Sequence, residues 1–254
     1  MISRYEAYMD GNALSRVHPD ILILDISHAI SDRKISASRI GNRKGTLIID
    51  DSQDGSSVTI SFALRVYSIS KRQEAMQEVL RWASGRVLET NDRPGQRLYV
   101  RCIEYPVVTS ALQWTETITM SFKAFEYPFW EEKEKSSLSF SSGTSGNGTL
   151  FVPGNAGNTV VEVVATPAVS ADDLSFTVGS TTITVTDCGA TAENPLVIAY
   201  DENGFLSIKV GTTSVLDKRT GSDDLLAECG QVNDFSFIAS ESTSVVFSAR
   251  GLWM

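Results

Sequence analysis

The chain is poor in the side chains that catalysis most often uses: its 254 residues hold two histidines, His18 and His28, and three cysteines, Cys102, Cys188 and Cys229. A serine or cysteine nucleophile needs a base within reach. Both histidines fall near the start of the sequence, His18 directly before Pro19 in a turn-forming context. No G-x-S-x-G elbow occurs, and Cys102, with Arg101 before it and Glu104 close after, carries no nucleophile signature. Three widely spaced cysteines make neither a disulfide framework nor a C-x-x-C metal or redox site. Free cysteine is among the most buried residue types, so all three are expected as core thiols.

The acids offer little more. Asp50-Asp51-Ser52-Gln53-Asp54-Gly55 opens like a calcium loop, with oxygen side chains at positions 1, 3 and 5 and glycine at position 6. Position 12 requires a bidentate Glu, but Ser61 stands there inside an alternating apolar run, and no helix follows. The segment reads as a solvated turn joining 47–49 to 58–62. Asp172-Asp173 and Asp223-Asp224 are adjacent pairs, and neighbours on an extended chain point to opposite faces, so neither forms a shared acid–base dyad. Gly41 and Gly45 lack the strand before and the helix after that make a phosphate cradle. The basic cluster Arg33, Lys34, Arg39, Arg43 and Lys44 is expected as a channel-facing or inter-subunit surface; it is also where contact with DNA would fall. No catalytic, cofactor-binding or metal-ligating residue is expected.

The elements that must carry these residues are mostly strands. In 58–67 the residues Val58, Ile60, Phe62, Leu64 and Val66 alternate with smaller or polar ones, the period of a half-buried strand. Short apolar runs at 21–26 and 46–50 precede it, and alternation returns at 97–104 and 115–124. Between them, 71–84 places Met76, Val79, Leu80 and Ala83 at helical spacing. Ser70 and Gln73 are spaced as a capping box, and Gly85 follows as a stop. This is the one long helix expected. The rest of the chain shows no sustained helical period, only strand-length runs at 159–165, 174–178, 181–185, 196–200, 205–210, 235–238 and 245–247, with Asn203-Gly204 as a hairpin turn. So many short strands between turn signals describe a β-sandwich.

Charge divides the chain at the same place as texture does. Residues 1–135 hold 18 Lys and Arg against 18 Asp and Glu, whereas 136–254 hold 4 against 13, so the whole net charge of −9 lies in the second part. An acidic domain repels phosphate backbones, which argues against it gripping nucleic acid. The stretch 136–148, nearly all Ser, Gly, Thr and Asn, reads as a linker or entry loop after the charge run 131–135. Two domains are therefore expected, 1–135 and 136–254: a mainly β chain with a sandwich-like first domain carrying one helix and a second, galectin-like β-sandwich. Galectin-type sugar sites use His, Asn, Arg and Trp; the second domain has no His and one Trp, Trp253, so it is expected to lack that site. Pro128 cannot donate to a sheet, so the strand at 115–124 must end before Tyr127, Phe129 and Trp130. These three are expected to form a structural clasp between domains or subunits. No run approaches the roughly 20 apolar residues of a membrane helix, and the first residues lack a signal-peptide core, so no membrane partner is expected and synthesis in the cytoplasm is.

The order of several motifs resembles the distal tail proteins of long-tailed phages with flexible, non-contractile tails. They are Asp10-Gly11; the helix running through Trp82; Phe125-Glu126-Tyr127-Pro128-Phe129-Trp130-Glu131 closing the first domain; Val152-Pro153-Gly154-Asn155; Thr166-Pro167; the strand at 206–210; and Arg250-Gly251-Leu252-Trp253. The likeness spans nearly the whole chain. It departs before Val245, where residues 240–244 replace the family's proline-glycine stretch. The resemblance implies a structural virion protein, not an enzyme, located at the tail tip or baseplate and made in the host cytoplasm. Six copies of the first domain would close a ring around an axial channel, with galectin-like second domains outside. The implied partners are further copies, the tail tube protein, the tape-measure protein and a tail hub, tail-associated lysin or adsorption protein, with DNA only as transient cargo. A carbohydrate-binding sandwich that recognises cell-surface glycan is the alternative the residues leave open. A glycosidase would need two carboxylates about 5–9 Å apart across one cleft.

Overall fold

A computed structural model describes residues 4–29, 55–66, 68–106, 117–125, 128–200 and 205–254 in full, and 33–39 and 46–53 as backbone. The chain is mainly β and antiparallel, and it folds as two compact units: Met1–Trp130 with Met254, and Glu131–Trp253.

The first unit opens with β1 (Ala7–Met9) and β2 (Asn12–Ala13), whose register Met9 opposite Asn12 leaves Asp10 and Gly11 as a two-residue turn. Both turn residues have positive φ, 49° and 79°, which explains the Asp-Gly pair: a primed turn needs that conformation twice. After a single helical turn, α1 (Leu14–Val17), come β3 (Ile21–Ala29), β4 (Arg33–Arg39), β5 (Thr46–Gln53), β6 (Ser57–Leu64), the long helix α2 (Ile69–Ala83), β7 (Val87–Thr90), β8 (Gln96–Tyr99), β9 (Arg101–Glu104) and β10 (Thr117–Lys123). They form a sheet containing the order β2-β1-β7-β8, a four-stranded sheet β3-β6-β10-β9, and a separate hairpin β4-β5.

Helix α2 ties the first two sheets together. Its Trp82 indole donates to the Asn12 carbonyl at 2.7 Å and meets Phe122 of β10 edge-on, with ring centroids 6.1 Å apart. The helix differs from expectation in detail. It starts earlier, with Ser68 as an N-cap that makes no side-chain bond to the helix, so the capping box does not form; Ser68 and Ser70 share a hydroxyl–hydroxyl bond instead. It ends at Ala83 with Ser84 as its C-cap, ahead of Gly85. Its buried face is Ala75, Met76, Val79, Trp82 and Ala83, while Leu80 is only half-buried: docking on Trp82 turns the stripe away from Leu80.

The short β11 (Trp130–Glu132) leads into the second unit, which begins with a correction. The expected linker is a strand, β12 (Ser136–Val152), paired along its length with β21 (Gln231–Ala249). Small residues suffice because β21 supplies the ladder, and they make room for rings: a side chain at Gly146 would lie 2.6 Å from Phe237 and 2.9 Å from Phe140. Between the two lie β13 (Asn158–Pro167), β14 (Leu174–Val178), β15 (Thr181–Val185), β16 (Leu196–Tyr200), β17 (Leu206–Val210), β18 (Thr213–Ser214), β19 (Arg219–Gly221) and β20 (Leu226–Glu228); β22 (Leu252–Trp253) follows β21. The turn residues 201–204, Asn203-Gly204 among them, lie outside the described residues.

The β21 strand cannot be straight. Phe235 and Phe247, twelve positions apart, would be separated by about 40 Å on an extended strand, yet their rings lie 5.3 Å apart. The strand folds over, and β12 bends with it where the register shifts between Phe140 and Ser145. One half of β21 joins β13 and, through it, β16, β17 and β18; the other joins β14, β15 and β19. The result is a two-layer sandwich whose core carries Phe176, Phe235, Phe237 and Phe247, all buried. Phe247 in one layer meets Phe176 of the other at 6.1 Å.

Candidate functional site

Trp130 ends the first unit and is its largest fully buried side chain, 1% exposed. The local chain explains the position. β10 stops at Lys123, and the Pro128 carbonyl is held by the Ser56 amide at 3.2 Å and hydroxyl at 2.7 Å, which turns the chain inward. The rings Trp130 meets belong to the first unit: His28 of β3 edge-on at 5.3 Å, and the Arg93 guanidinium stacked at 5.1 Å.

His28 Nε2 donates to Asp92 Oδ2 at 2.7 Å, and because an ionised carboxylate only accepts, the proton on that nitrogen is fixed by its partner. Nδ1 is buried and unbonded. Burial alone would raise the Asp92 carboxyl, but the bond from His28 and the charge on His28 hold it below its ordinary value. The arrangement orients rings and charges around an indole. Among the described residues the site holds one carboxylate, Asp92, and the contacts around the indole are packing contacts. Phe129 is half-buried, and Tyr127 lies outside the described residues.

The other sequence candidates scatter. Arg33, Lys34 and Arg39 lie on β4, opposite Gln53, Ser52 and Thr46 of β5; Arg43 and Lys44 lie outside the described residues. Asp50 and Asp51, expected in a turn, are ladder residues of β5 opposite Ser36 and Ile35, because the strand runs on to Gln53. Asp54 lies outside the described residues. The amides of Asp172 and Asp173 donate to the Ser240 hydroxyl at 3.2 and 3.3 Å, while Asp223 pairs with Arg219 at 3.2 Å, so the two acidic pairs serve separate corners. Cys188 and Cys229 are buried, and Cys102 is half-buried on β9 because that strand closes its sheet. Burial, the largest cause in each case, pushes all three thiols up. Sequence reasoning missed the His28–Asp92 pair, since residues so far apart leave no local spacing to read.

Two antiparallel units, a first with one long helix and a second with a bent-ribbon sandwich, make up a fold that is shared with solved structures of phage proteins. The particular likeness is to the crystal structure of the phage SPP1 protein Dit, described as a paradigm of the hub adsorption apparatus of phages infecting Gram-positive bacteria. It has a TM-score of 0.70 at 14% identity, covering 97% of this chain and 98% of that one. Chains of the phage P2 baseplate in its activated conformation match at TM-scores of 0.52 with calcium and 0.51 with strontium. Both are 10% identical and cover 98% or more of either chain. No protein-family model matches the sequence, and no curated protein does.

Proposed function

We propose that this protein is a structural component of a phage tail tip, a distal tail protein whose first unit closes a ring of six around an axial channel and whose galectin-like second unit stands outside it. The observation that carries the reading is the match to SPP1 Dit, which runs through both units and leaves almost none of either chain uncovered. In this role the protein resides in the virion. It joins the tail tube and tape-measure proteins to a tail hub, tail-associated lysin or adsorption protein, and DNA passes through without being read. It performs no catalysis.

The hairpin β4-β5 fits a ring contact. A two-stranded hairpin is marginal alone in water, and this one carries Arg33, Lys34 and Arg39 on one strand and Asp50 and Asp51 on the other. A segment that bears both signs of charge favours a head-to-tail contact between copies. Phe129 and Trp130 form the clasp at the end of the first unit.

Light scattering of the intact protein tests the ring. The expected mass is six times the 27.7 kDa chain, and reversal of Arg33, Lys34 and Arg39 to Glu should release folded single chains. A parent protein that stays a single chain at every concentration would refute the reading.

A further inference from the structure

In the second unit β12 pairs along its length with β21, and β21 has β13 or β14 on its other side, so β12 is the edge strand of both layers of the sandwich. Among the described strands none pairs with its outer side. Edge strands are ordinarily blunted by Lys, by Pro or by a bulge. Residues 136–152 contain no Lys, Arg, Asp, Glu or Pro. Their register shifts between Phe140 and Ser145, and beyond that break Ser145 to Val152 run without interruption opposite Ile238 to Gln231. We propose that the outer edge of 145–152 docks an extended peptide segment of a partner protein, one that carries a basic residue between apolar ones.

The rows of side chains that meet this edge select the occupant. On the outer face of the layer the register partners are Ser145 with Ile238, Asn147 with Ser236, Thr149 with Asp234 and Phe151 with Val232. Phe151, Val232 and Ile238 are 54%, 65% and 67% exposed, so each end of the edge offers apolar surface. Asp234 stands between the two ends, exposed, and makes no ion pair among the described residues. The rest of the domain adds to that charge, since 136–254 holds 4 Lys and Arg against 13 Asp and Glu. A basic segment is drawn to this unit, whereas a polynucleotide, an acidic peptide and a second copy of the same unit are all repelled by it.

Alternate residues of an edge strand turn their N–H and C=O groups outward, so an added strand gains main-chain bonds. Its side chains reach the outer face at every second position. Running antiparallel to β12, it sets an apolar residue beside Phe151, a basic one beside Thr149, a small one beside Asn147 and an apolar one beside Ser145. Neighbouring strands lie about 4.8 Å apart, which puts Asp234 about 10 Å from the backbone of the basic residue. A lysine stem laid over the short Thr149 side chain spans most of that distance and brings its ammonium to the carboxylate. The recognised pattern is therefore apolar, basic, small and apolar at alternate positions.

The test uses the intact protein and the fluorescein-labelled peptide Val-Thr-Lys-Thr-Ser-Thr-Val. The comparisons are the same peptide with Glu in place of Lys, and the same peptide N-methylated at its three central amides. Fluorescence anisotropy should show saturable binding of the unmodified Lys peptide alone. Phe151→Ser should weaken it about tenfold and Asp234→Asn about threefold, both at unchanged melting temperature. Val164→Ser, on β13 in the other layer, should leave it unaltered. Absence of saturable binding, equal binding of the Glu peptide, or equal binding of the N-methylated peptide overturns the proposal. So does a particle mass that Phe151→Ser halves, which would make this edge a contact between copies. Peptide binding reads the second unit and the ring is proposed for the first, so either reading can fail without the other.

Discussion

Around Trp130 a few side chains carry opposite demands. The indole needs an apolar enclosure, yet its neighbours are an imidazole and a guanidinium. They are admitted because each presents a ring edge or a flat cation to the indole while its polar atoms turn elsewhere, His28 toward Asp92. The Asp92 carboxyl is held below its ordinary value of 3.8. A carboxylate depressed by folding contributes stability that is fully present above the unfolded value and is lost as pH falls through the folded one. The melting temperature should therefore drop with acidification below about pH 4. Asp92→Asn should flatten that part of the profile while lowering stability at neutral pH, because the His28 proton loses its charged acceptor. Melting curves of parent and variant between neutral and strongly acidic pH check this, and superimposable acid limbs would dismiss the role given to Asp92.

Helix α2 shows how an element's face is decided by what it docks on. The spacing of Met76, Val79, Leu80 and Ala83 describes a stripe correctly but not its centre, since Trp82 makes the decisive contacts with Asn12 and Phe122. Met76→Ala should cost about 2–5 kcal/mol, as for a fully buried side chain, and Leu80→Ala distinctly less. Denaturant titrations of the two variants measure the difference, and equal costs would return Leu80 to the core. The same reasoning marks what was legible in the sequence. The strands 174–178, 181–185 and 196–200 read true because alternation and turn residues are local signals, and β14, β15 and β16 have those bounds. The strand β12 did not read as one. Its order comes from a ladder with β21, almost a hundred residues away, and its Ser and Gly content reflects the rings of Phe140 and Phe237 that it must clear. The Trp130 site was legible in part: Pro128 announced that the chain leaves the sheet, but not that His28 and Arg93 would receive the indole.

At the scale of the molecule, the two units have separate cores and separate charge, the first part balanced and the second acidic. Each core can be probed at one of its buried aromatics. In the first unit it is Trp130, enclosed by His28 and Arg93; in the second it is Phe247, which meets Phe140 at 5.9 Å, Phe235 at 5.3 Å and Phe176 at 6.1 Å, joining both layers of the sandwich. Truncating a buried aromatic residue removes its transfer free energy and leaves a cavity, about 3–5 kcal/mol in either case. If the units fold on their own contacts, calorimetry of the intact chain should resolve two transitions. Trp130→Ala should lower only one of them and Phe247→Ala only the other, and the double variant should reproduce both shifts, since sites without shared partners act additively to within about 0.5 kcal/mol. If Trp130 instead clasps the two units into one cooperative body, a single transition moves under either substitution, and the double variant falls short of or exceeds the sum. Ring mass measured on the same samples separates the remaining possibility: a Trp130→Ala protein that keeps both transitions but loses the ring would place the clasp between subunits rather than within one.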